Sequence, residues 1–299
     1  MIIIEDPFIV QKIEAYVVGH FARVHYRSRM HLALRRAILW RLGGKEKVNP
    51  NYDEQLLRDF ASQFLGYGSL ESKLWLIGPE AGGGNDIEEV YDRAQVWARR
   101  DRKEIENLHS YHADLTPKVD WTQKIQRTWG PLIRIILARK DGRIASKDAV
   151  IEFQRCELGR AGGENCVLDL SPLPSRSESH WILDKFGFDW LRARPQYEEA
   201  VVAPRCALLR EKLRCYKPRL VIFYGLGHKA KWEHISEEEF SPFRVEHLST
   251  APADNTLFAM IPHPANLGRI LRGKGSVNRF LADVGTVLPE TYDGREQSY

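Results

Sequence analysis

Lys73-Leu74-Trp75-Leu76-Ile77-Gly78-Pro79-Glu80-Ala81-Gly82-Gly83-Gly84-Asn85-Asp86 is the stretch whose reading decides the fold. Four consecutive apolar residues, Leu74 to Ile77, give a short buried-strand signal. Gly78-Pro79 breaks it, and a helical pattern starts at Asp86. Glu80 is thereby placed at the carboxyl end of a strand, the edge at which open α/β sheets bind their ligands. Gly82, Gly83 and Gly84 carry no side chain, so a ligand or a second backbone can come close and unusual φ values are tolerated. A tight strand-to-helix turn explains the same residues equally well, and the rest of the chain has to decide between the two.

Working outward, Asn165-Cys166-Val167-Leu168-Asp169-Leu170 repeats the pattern and stops at Ser171-Pro172-Leu173-Pro174-Ser175-Arg176, where two prolines enforce an extended loop. Pro218 to Gly225 is the cleanest buried strand, and Leu226-Gly227-His228-Lys229 opens a short helix after it. Weaker strand signals cover 243–248 and 256–261, and the second runs into Pro262-His263-Pro264-Ala265-Asn266-Leu267-Gly268-Arg269. Helical patterns fill the intervals: 53–66 with Asp53 as cap, a helix-rich stretch to about 155, then 179–187, 196–216 and 276–286. Residues 7–42 also read as helical and stop at Gly43-Gly44. The expected organisation is a helical N-terminal extension over 1–70 and an α/β domain over 71–299, built as a three-layer α/β/α sandwich around a mainly parallel sheet.

Composition narrows the class. A hydrophobic fraction of 43% over 299 residues suits a globular protein with a substantial core, and no apolar run is long enough to cross a bilayer. The start, Met1-Ile2-Ile3-Ile4-Glu5-Asp6, lacks the basic opening and apolar core of a signal peptide, which predicts a cytoplasmic protein. Cys156, Cys166, Cys206 and Cys215 contain no C-x-x-C pair, so reduced thiols are expected and no metal site. The net charge of +4 is modest, but its distribution is uneven. Ala15 to Lys45 holds seven lysines and arginines and no acidic residue, and Asn255 to Ala282 is again free of acid while carrying Arg269, Arg272, Lys274 and Arg279. Two such tracts suggest a surface that faces a polyanion.

The order and spacing of these motifs resemble the uracil-DNA glycosylase superfamily over residues 70–288. The carriers are Ile77-Gly78-Pro79-Glu80-Ala81-Gly82-Gly83, Val167-Leu168-Asp169-Leu170-Ser171-Pro172, the strand and glycine turn from Lys217 to Gly227, and His263-Pro264-Ala265-Asn266-Leu267. The resemblance implies a four-stranded, mainly parallel sheet between helices and a monofunctional DNA glycosylase that needs no cofactor. It places Glu80 where a carboxylate orients water and stabilises the sugar cation, with Asp86 as a second carboxylate able to share that role. His263 falls where a histidine contacts the O2 side of the departing base. Breaking an N-glycosidic bond puts positive charge on the sugar and negative charge on the base, so an anion and a donor must flank it. Leu267 matches the side chain that enters the duplex as a nucleotide is extruded, and Asn266, Arg269, Arg272, Lys274, Arg176, Gly225 and His228 would line the DNA. The implied partner is DNA, double-stranded with a flipped nucleotide.

Two departures from the family pattern bear on the base. Asp169 stands where uracil-removing members have Asn; an ionised Asp only accepts hydrogen bonds, which suits the exocyclic amine of cytosine and not O4 of uracil. Where the best-known members place a bulky aromatic against C5 of the base, this chain has Ala81, Gly82, Gly83 and Gly84, leaving room for a substituent. Together these predict a C5-modified cytosine, such as the glucosylated hydroxymethylcytosine of phage DNA. The sugar would find polar partners among Ser171, Ser175, Arg176 and Asn85, and the protein would act in anti-phage defence. A repair glycosylase for uracil or a damaged base, a non-catalytic nucleic-acid module and a small-molecule nucleosidase are the competing readings.

Overall fold

The computed structural model describes residues 51–175, 180–273 and 275–289. The helix expected over 7–42 and the first basic tract fall outside them. The chain opens with α1 (Glu54–Gln63), capped by the Asp53 side chain, which accepts the Leu56 N–H; Leu57, Phe60 and Ala61 form its buried face. There follow β1 (Gly66–Gly68), β2 (Leu74–Glu80), α2 (Ile87–Arg99), β3 (Ile105–Glu106), α3 (Leu108–Leu115), α4 (Trp129–Asp141), α5 (Lys147–Cys156) and β4 (Asn165–Ser171). Next come α6 (Arg194–Tyr197), α7 (Ala203–Tyr216), β5 (Leu220–Tyr224), α8 (Lys229–Ser236), β6 (Ser241–Pro242), β7 (Ser249–Pro252), β8 (Leu257–Ile261), α9 (Leu267–Ile270) and α10 (Ser276–Val287).

Among the described residues the strands form one mixed sheet of eight, in the order β3-β1-β4-β2-β5-β8-β7-β6. The expectation of a four-stranded sheet is corrected in this respect. Its centre, β4-β2-β5-β8, is parallel throughout, but β1 and β7 add antiparallel strands at either side, and β3 and β6 extend these further. Every residue of β5 and β8 is buried, so helices and loops cover both faces, as a parallel sheet requires. The added strands are two to four residues long and rich in Gly, Ser and Pro. Backbone approach rather than side-chain patterning makes them. A Cβ on Gly66 would stand 2.1 Å from the Val167 carbonyl oxygen, and one on Gly68 would stand 2.3 Å from that of Asn165.

Helix α1 and strand β1, expected from the sequence to belong to the extension, are part of the same compact unit as the sheet, which starts at Val48. Phe60, Phe64, Leu65 and Tyr67 lie in the same apolar core as β2 and β4. The boundary therefore lies earlier than residue 70. The helix expected over 179–187 reduces, within the described residues, to a 3-10 turn at Leu183–Phe186. The one expected over 196–216 is broken by a π-helical turn at Glu198–Val202, because Pro204 has no N–H to continue the ladder. Residues 243–248 form a turn between β6 and β7 instead of a strand. No helix of the described residues is long and apolar enough to cross a membrane.

Candidate active site at the carboxyl ends of the parallel strands

The register of the parallel strands assembles the site. Gly78 pairs with Asp169 and Glu80 with Ser171 across β2 and β4. Ile77 pairs with Phe223 across β2 and β5, which sets Tyr224 level with Gly78, and Tyr224 pairs with Ile261 of β8. Residues at one level of a parallel sheet point to the same side, so Asp169, Tyr224 and, two positions past Ile261, His263 share a face. Neighbouring strands are about 4.8 Å apart, which separates the β4 and β8 backbones by roughly 14 Å. Tyr224 fills the space between: its hydroxyl lies 2.1 Å from where a Gly78 Cβ would be. Its ring meets that of His263 edge-on, with centroids 5.5 Å apart. Sequence reasoning missed Tyr224. The available signal was a glycine on one strand beside an aromatic residue ending the next.

Asp169 is clamped by its backbone and open at its side chain. Its N–H donates to the Leu65 carbonyl (3.1 Å), and its carbonyl accepts from Arg205 Nη2 (2.7 Å). Arg205, 1% exposed, also donates to the carbonyls of Leu170 (2.7 Å) and Ala61 (3.2 Å), fixing the end of β4 from behind. Burial holds its guanidinium down to about 10. No donor among the described residues reaches the Asp169 carboxyl. Desolvation pushes that group up to about 7, with Glu80 adding to the shift while Arg205 and Arg93 oppose it. The expectation of a fully ionised, acceptor-only Asp169 is thus corrected. Near neutral pH it is an acid as much as a carboxylate, able to donate and to accept.

Among the described residues, Arg194 and Ser175 hold Glu80 in place. Arg194 Nη1, at the start of α6, donates to its Oε2 at 2.9 Å, and the Ser175 N–H donates to Oε1 at 2.5 Å. Arg194 itself lies over the Trp181 ring, 4.8 Å from the centroid. Such a carboxylate is suited to presenting fixed negative charge. Asp86 has a structural part as well. It is exposed and caps α2, its side chain accepting the Glu89 N–H at 2.7 Å.

The glycine stretch is tied down by α2. Glu89 accepts from the Asn85 N–H (3.1 Å) and side chain (3.3 Å), and Arg93 Nη2 donates to the Gly82 carbonyl (2.8 Å) and to Glu89 (2.9 Å). Of the glycines read as leaving room at C5, only Gly82 faces open space. Gly83 and Gly84 have φ of +115° and +75°, and a Cβ on them would stand 2.2 Å from Glu89 Oε1 and 2.5 Å from the Pro174 carbonyl oxygen. Those two glycines serve loop packing. Ser171 is likewise internal: its hydroxyl hydrogen-bonds with that of Tyr197 at 2.9 Å and is 4% exposed.

His263 lies two residues past β8, with Nδ1 accepting the Ala265 N–H at 3.3 Å. A neutral ring with Nδ1 as acceptor carries its proton on Nε2. Burial, and then the neighbouring His228, lower its pKa, which keeps it neutral. His228 follows Gly225, whose φ of +97° lets the turn pack on Pro79. The apolar wedge expected at Leu267 is corrected: Leu267 is 1% exposed and part of the core. Three residues on, Ile270 is 39% exposed, and Asn266, Arg269 and Arg272 around it are exposed too. Arg176 and Lys274 lie outside the described residues. Within those residues no group of His, Cys, Asp or Glu could hold a metal ion, and all four cysteines are unpaired.

No protein-family model matches this chain, and no curated protein matches it.

Proposed function

We propose that this protein is a monofunctional DNA glycosylase that flips a nucleotide from the duplex and hydrolyses its N-glycosidic bond. The observation that carries the reading is the register: in the parallel centre β4-β2-β5-β8, Asp169 and Glu80 lie at the carboxyl ends of neighbouring β4 and β2, and His263 follows the end of β8 two strands away, all at one edge of the sheet. The parallel centre β4-β2-β5-β8 is, on this reading, the four-stranded sheet of the uracil-DNA glycosylase superfamily, widened at both edges. The chemistry follows from the side chains. Glu80, pinned by Arg194 and Ser175, supplies negative charge beside the sugar cation. Neutral His263 donates from Nε2 to O2 of the departing base while Ala265 fixes its tautomer. Asp169 reads the far edge of the base. Ile270, flanked by Arg269 and Arg272, takes the place in the opened stack expected of Leu267 from sequence.

The substrate on this reading is a C5-modified cytosine, such as the glucosylated hydroxymethylcytosine of phage DNA, and the biological role is defence. The open space at Gly82 supports a substituent there. Uracil is the second reading, favoured by the elevated Asp169 pKa, since a protonated carboxyl also complements O4 and N3–H. Incubation of the purified protein with duplexes containing cytosine, uracil or glucosylated hydroxymethylcytosine, with mass spectrometry of released base and counting of abasic sites, tests both. Release from the modified duplex alone supports the first reading, and release of uracil alone replaces it with repair. Salt-sensitive binding with no release from any duplex would leave a non-catalytic module.

A further inference from the structure

We propose that Asp169 is the general acid of this reaction, passing its proton to N3 of a cytosine-type base as the glycosidic bond breaks. The inference rests on the glycosylase reading and deepens it by assigning the leaving-group chemistry. Departing uracil spreads its negative charge over two carbonyl oxygens. Cytosine has an amine in place of one of them, so its anion is a poorer leaving group and needs a proton that uracil can do without.

The geometry is that of a carboxyl reserved for a ligand. Backbone hydrogen bonds to Leu65 and from Arg205 immobilise Asp169 on both sides. The side chain stands level with Gly78, which contributes no side chain, and one strand beyond it is Tyr224. The charged and titratable groups facing it are Arg205 from α7, Arg93 from α2, Glu80 at the end of β2, Tyr67 from β1 and Tyr224 from β5. Arg205 directs its hydrogen bonds to the carbonyls of Leu170, Ala61 and Asp169 itself, and Arg93 directs its own to Gly82 and Glu89, so neither binds the carboxyl. A desolvated acid with no donor is most stable when neutral. Up to about pH 7 the resting site therefore holds the proton in a large share of molecules, in agreement with a titration near 7.

The step balances. Asp169 Oδ–H donates to N3 while its other oxygen accepts from the N4 amine. The C1′–N1 bond then breaks with its electron pair going to the ring, the O–H pair stays on Asp169, and the base leaves neutral with a new N3–H bond. Water oxygen bonds to C1′, and the proton it loses restores Asp169 through solvent. The sum is hydrolysis, with no other reactant.

Single-turnover kinetics on the duplex that releases base, for wild type and Asp169→Asn from pH 5.5 to 9, test this. An amide can still pair with N3 and N4 but cannot give up a proton, so D169N is expected to keep duplex affinity and to be at least as stable as wild type at neutral pH while its rate falls about 10²–10⁴-fold. The wild-type rate is expected to drop tenfold per pH unit above about 7; that limb is the readout should D169N not fold. A D169N rate within tenfold of wild type, or a wild-type rate flat to pH 9, would overturn the assignment and leave the glycosylase reading standing. Wild type that releases no base from any duplex removes both.

Discussion

The hydroxyl of Tyr224 occupies the place of the side chain that Gly78 lacks, 2.1 Å from where its Cβ would be. The two residues are neighbours across β2 and β5, and their fit sets the floor between Asp169 and His263. Gly78→Ala is expected to force Tyr224 aside at a cost of about 1–3 kcal/mol. Thermal melting of G78A and of G78A/Y224A checks this: the double variant should cost less than the two single changes added together.

Leu267→Ala and Ile270→Ala should behave oppositely. Truncating buried Leu267 is expected to cost about 2–5 kcal/mol of stability, whereas exposed Ile270 should leave stability within about 0.5 kcal/mol and slow base excision instead. Denaturant unfolding beside excision rates separates them. Slow excision by an Ile270→Ala variant that is also destabilised like L267A would count against a wedge role.

Arg269 and Arg272 are exposed and suited to phosphate contact. Replacing both with Ala is expected to lower the magnitude of the slope of log affinity against log salt by about 0.9 per arginine, nearly independently of duplex sequence. An unchanged slope in a fluorescence titration would place the DNA elsewhere.

The raised pKa of Asp169 has a stability consequence with a definite sign. Unfolded, the carboxyl loses its proton near 3.8; folded, it keeps it to about 7. Between these values the folded state binds more protons, so stability falls as pH rises from about 4 to 7 and then levels off, by up to about 4 kcal/mol from this group alone. Asp169→Asn should flatten that slope, which urea unfolding at pH 4, 5.5, 7 and 8 will show.

Arg205 pairs with three main-chain carbonyls while 1% exposed. Arg205→Met leaves those oxygens buried and unpaired, at about 1–3 kcal/mol for such a group, and removes a positive charge near Asp169. Its melting temperature should drop. If the variant folds, the alkaline limit of excision should move to higher pH.

The glycines were the least legible residues. The helix start at Asp86 was readable because a first turn depends on its immediate neighbours, but the break expected at Gly78-Pro79 is not there: β2 runs through both residues to Glu80, and Gly78 pairs with Asp169. Gly66, Gly68, Gly83 and Gly84 owe their identity to backbone or side chains distant in sequence or across a turn, and no local window displays that contact. Leu267 misled for a related reason. Its motif fixes where the loop begins, but burial depends on the core beneath it. Arg194, Arg205 and Tyr224 drew no notice because an arginine or a tyrosine at a helix or strand end is ordinary until its partners are known.

The sequence by itself determined the runs of apolar residues, the breakers that end them and the helices between, and hence an α/β chain with Glu80, Asp169 and His263 at strand ends, since strand and turn propensities are local. Only the tertiary structure decided the strand order, the extra edge strands, the pinning of Glu80 by Arg194, and the desolvation that leaves Asp169 able to hold a proton. Those depend on pairings between residues far apart in the chain and on the exclusion of water, and neither exists until the sheet has closed.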